Sequence, residues 1–415
     1  MGFARDAMFF RFRLYGFLKN LRFFDPFLIL FLHEMGMSYL EIGILYSIRE
    51  IATNLLEIPT GVLADTFGRR KAMLASFASY LVSFIVFYAV PNFTAYAGAM
   101  VLFASGEAFR SGTHKAMILE YLRLRGWENE KVAYYGHTRA ASQFGSALAA
   151  LIAASLVFYG GSYRIVFLAS MVPYLLAFIL MLTYPRVLDG ERDAPPQGCR
   201  LCIVCQMIGT GREFLATLRS PVLLRGLLGG AGFGALFKST KDYLQPILQA
   251  EALALPLFIA LDERQRVAVV VGVLYFAIYL ISSFASSRAG RVARDVSSVR
   301  TGVNRTYLIG LAVLAGAGGA AWARIPALAI LGYVVVYVLQ NLRRPLVVGF
   351  LSELLPHRTM ATGLSVESQM QTFLMAGLAP LLGFLADRLG VGMALVCLAG
   401  GGLLLFPLVR ATDRT

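Results

Sequence analysis

The residues able to do chemistry in this chain are ionisable groups set inside long apolar runs. One run holds Arg22 and Asp25, and the next holds Arg49, Glu50 and, further on, Glu57. A third holds Glu107, Arg110, His114 and Lys115, with Arg139 in the run that follows. Later come Lys238, Lys241 and Asp242, then Arg343 and Arg344, and last Glu367. A charge in hydrocarbon costs several kcal/mol unless it is paired or faces water, so such groups mark pairing sites or the path of a solute or proton. Nine of these groups are basic and six acidic, which leaves positive charge over after pairing. Lys115, Arg343 and Arg344 lie near predicted span ends, where a long side chain reaches the interface. That leaves Arg22, Arg49, Arg110, Arg139, Lys238 and Lys241 as candidates to hold an anionic or zwitterionic organic solute. Arginine grips a carboxylate or phosphate through two parallel hydrogen bonds, and lysine adds a point charge.

An acid that alternates between an apolar wall and an arginine can load and release a proton. Asp25, Glu50 and Glu107 are the candidates for that role. His114, close in sequence to Glu107 and Arg110, is a candidate relay or else a satisfied polar contact. No paired histidines and acids form an enzyme-like constellation. Gly209-Thr-Gly211 lacks the Gly-Lys-Ser/Thr ending of a phosphate loop, which argues against drive by a nucleotide. Cys199, Cys202 and Cys205 have a spacing that could hold a soft metal, but no fourth ligand lies nearby, and they read as free thiols or lipid contacts. No metal and no cofactor are expected.

The elements that must position these groups are membrane helices. The 415 residues are 58% hydrophobic and 15% charged, where a soluble domain carries roughly a quarter charged residues. Apolar runs such as Ala72–Val90, Phe144–Tyr159 and Ile165–Leu182 are near the roughly 20 residues that cross about 30 Å of hydrocarbon. The spacing predicts twelve spans, near 13–32, 39–60, 72–90, 94–120, 133–159, 164–184, 220–249, 266–288, 302–322, 325–350, 361–385 and 391–409. Arg22 and Asp25 interrupt the first run, which is therefore not a cleaved signal peptide. The net charge of +14 is concentrated in alternate loops, among them Arg69-Arg70-Lys71, Arg123, Arg125 and Lys131. Basic short loops stay inside, so both termini are expected in the cytoplasm and the charge is a topology signal, not a nucleic-acid footprint.

Prolines and charges divide the chain at 185–219, a cytoplasmic linker with a short amphipathic stretch at 206–219. Residues 1–184 and 220–415 each hold six spans, and they echo one another. One offset aligns Arg110 with Arg343 and Glu120 with Glu353, and Ser142-Gln143 matches Ser368-Gln369. Two parallel repeats of this kind build many secondary carriers.

The loop after the second span reads Gly61-Val-Leu-Ala-Asp65-Thr-Phe-Gly68-Arg69-Arg70-Lys71. It resembles the signature loop of the major facilitator superfamily, in the place where that family carries it. Gly61 and Gly68 allow a tight turn and close helix approach. Asp65 suits a helix N-terminus, and the basic triplet suits an anionic leaflet. The resemblance implies an all-α integral membrane fold of two pseudo-symmetric six-helix bundles. It implies alternating-access transport of a small molecule coupled to protons, and a multi-pass, monomeric protein of the inner membrane in contact with lipid. It also implies that the loop controls opening of the cytoplasmic side through charge pairs, with Glu120 and Arg358 at partner positions. Spans one, four, seven and ten would line the cavity with parts of two, five, eight and eleven. Spans three, six, nine and twelve would face lipid. The fourth span lacks the Arg-x-x-Gln-Gly pattern, and the fifth the Gly-Pro pair, of the drug–proton antiporter branch. An exporter of amphipathic drugs or natural products is thus the alternative to a carrier of small anions.

Overall fold

The computed structural model describes residues 5–189, 221–254, 260–295, 299–354 and 360–411. Among them the regular structure is helical throughout. The first predicted span is divided between α1 (Ala7–Lys19) and α2 (Leu28–Glu34), followed by α3 (Tyr39–Phe67) and α4 (Arg69–Ala89). The fourth is divided between α5 (Phe93–Arg110) and α6 (Thr113–Leu124), followed by α7 (Lys131–Gly160) and α8 (Ile165–Leu182). The seventh is divided between α9 (Pro221–Thr240) and α10 (Leu244–Ala254). Then come α11 (Glu263–Asp295), α12 (Val299–Trp322), α13 (Pro326–Leu354), α14 (Met360–Leu404) and α15 (Phe406–Val409). The last two spans run together in α14, where Gly390, at φ 79° and ψ 159°, turns one helix into the next. Among the described residues, six helices are long and apolar enough to cross a membrane by length and composition: α4, α7, α8, α11, α13 and α14. The first, fourth and seventh spans, each divided into two helices, are not among the six.

Several of the intramembrane charges fall at those three breaks. Arg22 and Asp25 fall between α1 and α2, where Asp25 opens a single 3-10 turn. Arg110 closes α5 and His114 lies in the first turn of α6, across the turn that Gly112 makes at φ 74°. Lys241 and Asp242 form the 3-10 turn between α9 and α10. Arg22 and Asp25 therefore do not share one helical face, and Lys238 and Asp242 are not one turn apart on a single helix, as the uninterrupted spans implied. Open backbone at membrane depth is tolerated only where its polar groups find partners. Here they do. The Tyr174 hydroxyl donates to the Lys19 carbonyl at 3.3 Å, and the Tyr333 hydroxyl to the Thr240 carbonyl at 3.1 Å. The Ile29 N–H, at the start of α2, donates to the Gln245 side chain at 2.8 Å.

The described contacts divide into two compact units. One comprises Met1–Phe27, Ile51–Met207 and Gly272–Leu280, and the other Leu28–Glu50, Ile208–Val271 and Ile281–Thr415. In the first unit α4 packs on α5 and α8, and α1 packs on α7. In the second α12 packs on α13 and α14, and α9 packs on α14. Span three thus meets four and six while nine meets ten and twelve, and one meets five while seven meets eleven. The same pairing occurs twice, as two copies of one six-helix plan require. Small residues set the crossings, since close backbone approach drives helix packing in lipid. A Cβ on Gly145 would lie 2.6 Å from the Phe17 carbonyl oxygen, and one on Gly16 would lie 2.7 Å from the Ser142 hydroxyl.

Leu168, Val172, Leu175, Leu176 and Ile179 are exposed along one face of α8. A bare apolar stripe of that spacing fits lipid and not water.

Candidate functional site

In the first unit, the breaks in spans one and four set Arg22 and Arg110 on either side of Glu107. Arg22 Nη2 is 2.5 Å from Glu107 Oε1, and Arg110 pairs with Oε2 from one turn further along α5. Arg110 Nε also donates to the Tyr80 hydroxyl at 3.2 Å. One carboxylate thus joins two guanidiniums, and all three side chains are mostly buried. Asp25 follows one turn after Arg22, its N–H bonded to the Arg22 carbonyl at 3.2 Å.

Beside this network lies a cavity of about 250 Å³ walled by α1, α6 and α7. Its polar lining includes Lys19, Asn20, Arg139 and Gln143, and its aromatic lining Tyr15 and Tyr135. The close α1–α7 crossing at Gly16 and Gly145 is what brings Lys19 and Asn20 next to Arg139 and Ser142. Asn20 Nδ2 donates to the Ser142 carbonyl at 2.8 Å, fixing the turn that follows Lys19. His114 stacks on Tyr15 with ring centroids 3.6 Å apart. Among the described residues neither Lys19 nor Arg139 has a carboxylate within ion-pair distance.

The second unit holds Arg49, Glu50, Lys238, Lys241, Asp242, Arg343, Arg344 and Glu367. Arg49 pairs with Glu50 at 3.1 Å and lies over the Tyr46 ring at 4.8 Å. Lys238 is 3.8 Å from the other Glu50 oxygen. Lys241 pairs with Asp242 at 2.5 Å, and the Tyr46 hydroxyl donates to Asp242 at 3.2 Å. Arg344 Nη1 reaches both oxygens of the fully buried Glu367 at 2.7 Å. Arg343 does not reach an interface. It is 2% exposed, donates to the carbonyls of Val303 and Gly229 at 2.5 and 2.7 Å, and packs against Phe233 and Tyr307. It ties α13 to α12 and α9, so its counterpart in the repeat, Arg110, has an acid for a partner while Arg343 has backbone.

The family model for the major facilitator superfamily matches residues 17–372. The chain belongs to that superfamily. It is 27% identical over 167 residues to an uncharacterized MFS-type transporter, YxaM, of Bacillus subtilis (strain 168), a match covering 40% of each chain. Its fold is similar to that of a POT family transporter solved with 5-aminolevulinic acid, with a TM-score of 0.75 and 14% identity over 97% of this chain and 95% of that one. It is also similar to the nucleoside transporter NupG, with a TM-score of 0.78 and 12% identity over 99% and 100% of the two chains. The protein is a multi-pass secondary transporter of a small molecule, and not an enzyme.

In this MFS chain the signature loop is built differently from its sequence expectation. Asp65 lies inside α3, two residues before its end, and is exposed, so it does not head a helix. The N-terminus of α4 is headed by Gly68, at φ 102°. Its carboxylate comes from Asp189, beyond α8, which accepts from the Arg70 N–H at 2.8 Å. Arg70 returns the contact, donating from Nη2 to the Leu182 carbonyl at 2.7 Å. Glu120 pairs with Arg123 one turn on, at 2.8 Å, and not with the loop. Glu57, four residues before Gly61, accepts from the Ser111 hydroxyl at 2.8 Å. Arg358, the 206–219 stretch and the Cys199, Cys202 and Cys205 run lie outside the described residues.

Sequence reasoning missed Lys19, Asn20, Gln143 and Asp189. Lys19 stands three residues before Arg22 in the same apolar run, and that spacing could have flagged it. Asp189 sits at the edge of the polar linker, where nothing in the sequence separates a buried cap from a solvated acid.

Proposed function

We propose that this transporter moves a small anionic or zwitterionic organic solute by alternating access, coupled to protons. The observation that carries the reading is the charge balance inside the first unit. Lys19, Arg22, Arg110 and Arg139 stand against Asp25 and Glu107, and Glu107 is already shared by two arginines. A cation at membrane depth is costly unless it is paired or faces water, and an anionic group on the solute supplies a partner for the half-buried Lys19 and the exposed Arg139. In the second unit Arg49, Lys238 and Lys241 are balanced more closely by Glu50 and Asp242. Glu107 is the proton site of this scheme: adding a proton to it weakens its ion pairs with Arg22 and Arg110 together.

The polar and basic lining of the cavity, Lys19 and Arg139 with Asn20 and Gln143, also favours this reading over a drug exporter. The test is uptake by purified protein in proteoliposomes under an inward proton gradient, with a panel of organic acids, amino acids and cationic drugs. Uptake of acids or zwitterions is expected, and Glu107→Gln should abolish gradient-driven accumulation while sparing counterflow exchange. Accumulation of cationic drugs alone would overturn the proposal.

A further inference from the structure

We propose that the acidic group of the solute is held by Lys19 and Arg139, inside the first unit, and not by the arginines around Glu107. The proposal rests on the anionic reading above and assigns it a place. Arg22 and Arg110 are committed to one carboxylate, which a solute would have to displace from both. Lys19 and Arg139 line a ready cavity with no acid of their own among the described residues. Their positions are fixed by backbone. Lys19 ends α1, its carbonyl bonded by Tyr174, and the Asn20 bond to the Ser142 carbonyl ties that end to α7, one turn past Arg139.

The wall adds selectivity. Gln143, among the described residues, has no hydrogen-bond partner, so its amide can both donate to and accept from a bound solute. The Tyr15 hydroxyl is buried and outside hydrogen-bonding geometry, in the same wall. The cavity, of about 250 Å³, sets Lys19, Asn20, Arg139 and Gln143 around one space, which suits the charged head of a small acid. The ligand class is therefore a compact organic acid, a carboxylate or phosphate whose charge meets a lysine and an arginine together.

The experiment measures thermal stabilisation of the full chain in phosphatidylcholine nanodiscs by benzoate, phenyl phosphate and the neutral benzamide. Lys19→Gln, Lys19→Arg, Arg139→Gln and the double variant are compared with the unaltered protein. Stabilisation by one or both acids and not by benzamide is expected, weakened about tenfold or more by either glutamine. Lys19→Arg, which keeps the charge, should retain most of it and shows that the position tolerates substitution. Acids that stabilise both glutamine variants as well as the parent would overturn this placement and leave the anionic reading standing. Failure of every acid to stabilise the parent would overturn both. If phosphatidylglycerol in the nanodisc removes the effect by competition, the site belongs to a lipid headgroup and the proposal falls.

Discussion

Replacing Asp387 by asparagine should loosen the first turn of α3 by an amount the structure allows one to work out. The start of a helix leaves its first N–H groups without intrahelical partners. Here Ser38 and Glu41 form a capping box, the Ser38 N–H bonded to Glu41 Oε2 at 2.9 Å and the Glu41 N–H to Ser38 Oγ at 3.2 Å. The two N–H groups between them are taken by one carboxylate, Tyr39 by Asp387 Oδ1 at 2.9 Å and Leu40 by Oδ2 at 2.8 Å. Asparagine keeps one acceptor and turns an NH₂ group toward the other donor. Because the cap is exposed, the loss is that of a typical helix cap, about 0.5–2 kcal/mol. That corresponds to roughly a 2- to 30-fold change in the open population. Hydrogen exchange read by mass spectrometry should therefore quicken by that factor at Tyr39 and Leu40, and not at Glu41, whose N–H keeps Ser38. Unchanged exchange at Tyr39 and Leu40, or an equal rise along all of α3, would refute the reasoning.

Two further outcomes follow from the same structure. Asp65→Asn should slow transport while leaving equilibrium binding within a few-fold, because the residue lies on α3 beside the signature loop and away from the cavity. Parallel uptake and binding assays check this. Gly145→Val should cost about 1–3 kcal/mol and reduce binding of the solute, because a branched side chain 2.6 Å from the Phe17 carbonyl forces α1 off α7 and spreads the cavity. Thermal unfolding together with a ligand titration reads both effects.

The sequence determined the class of the protein almost unaided. Too few charges for a water-facing surface, apolar runs of membrane-crossing length and one loop of specific glycines and charges suffice, because lipid allows few solutions to backbone hydrogen bonding. It also marked which helices carry charge at membrane depth, since an intramembrane charge is costly enough to be conspicuous in any run of apolar residues. What it could not show was where those helices break. Arg22 and Lys241 stand at interruptions that Tyr174, Gln245 and Tyr333 make tolerable from distant parts of the chain, and Arg110 at one that Gly112 turns. Nor could it pair the charges. Arg343 and Arg344 are neighbours in sequence, yet one binds backbone carbonyls and the other a buried glutamate. Partner choice is a matter of direction and distance across helices, and only the tertiary structure fixes those: it gave Glu107 to two arginines and left Lys19 and Arg139 beside an open cavity.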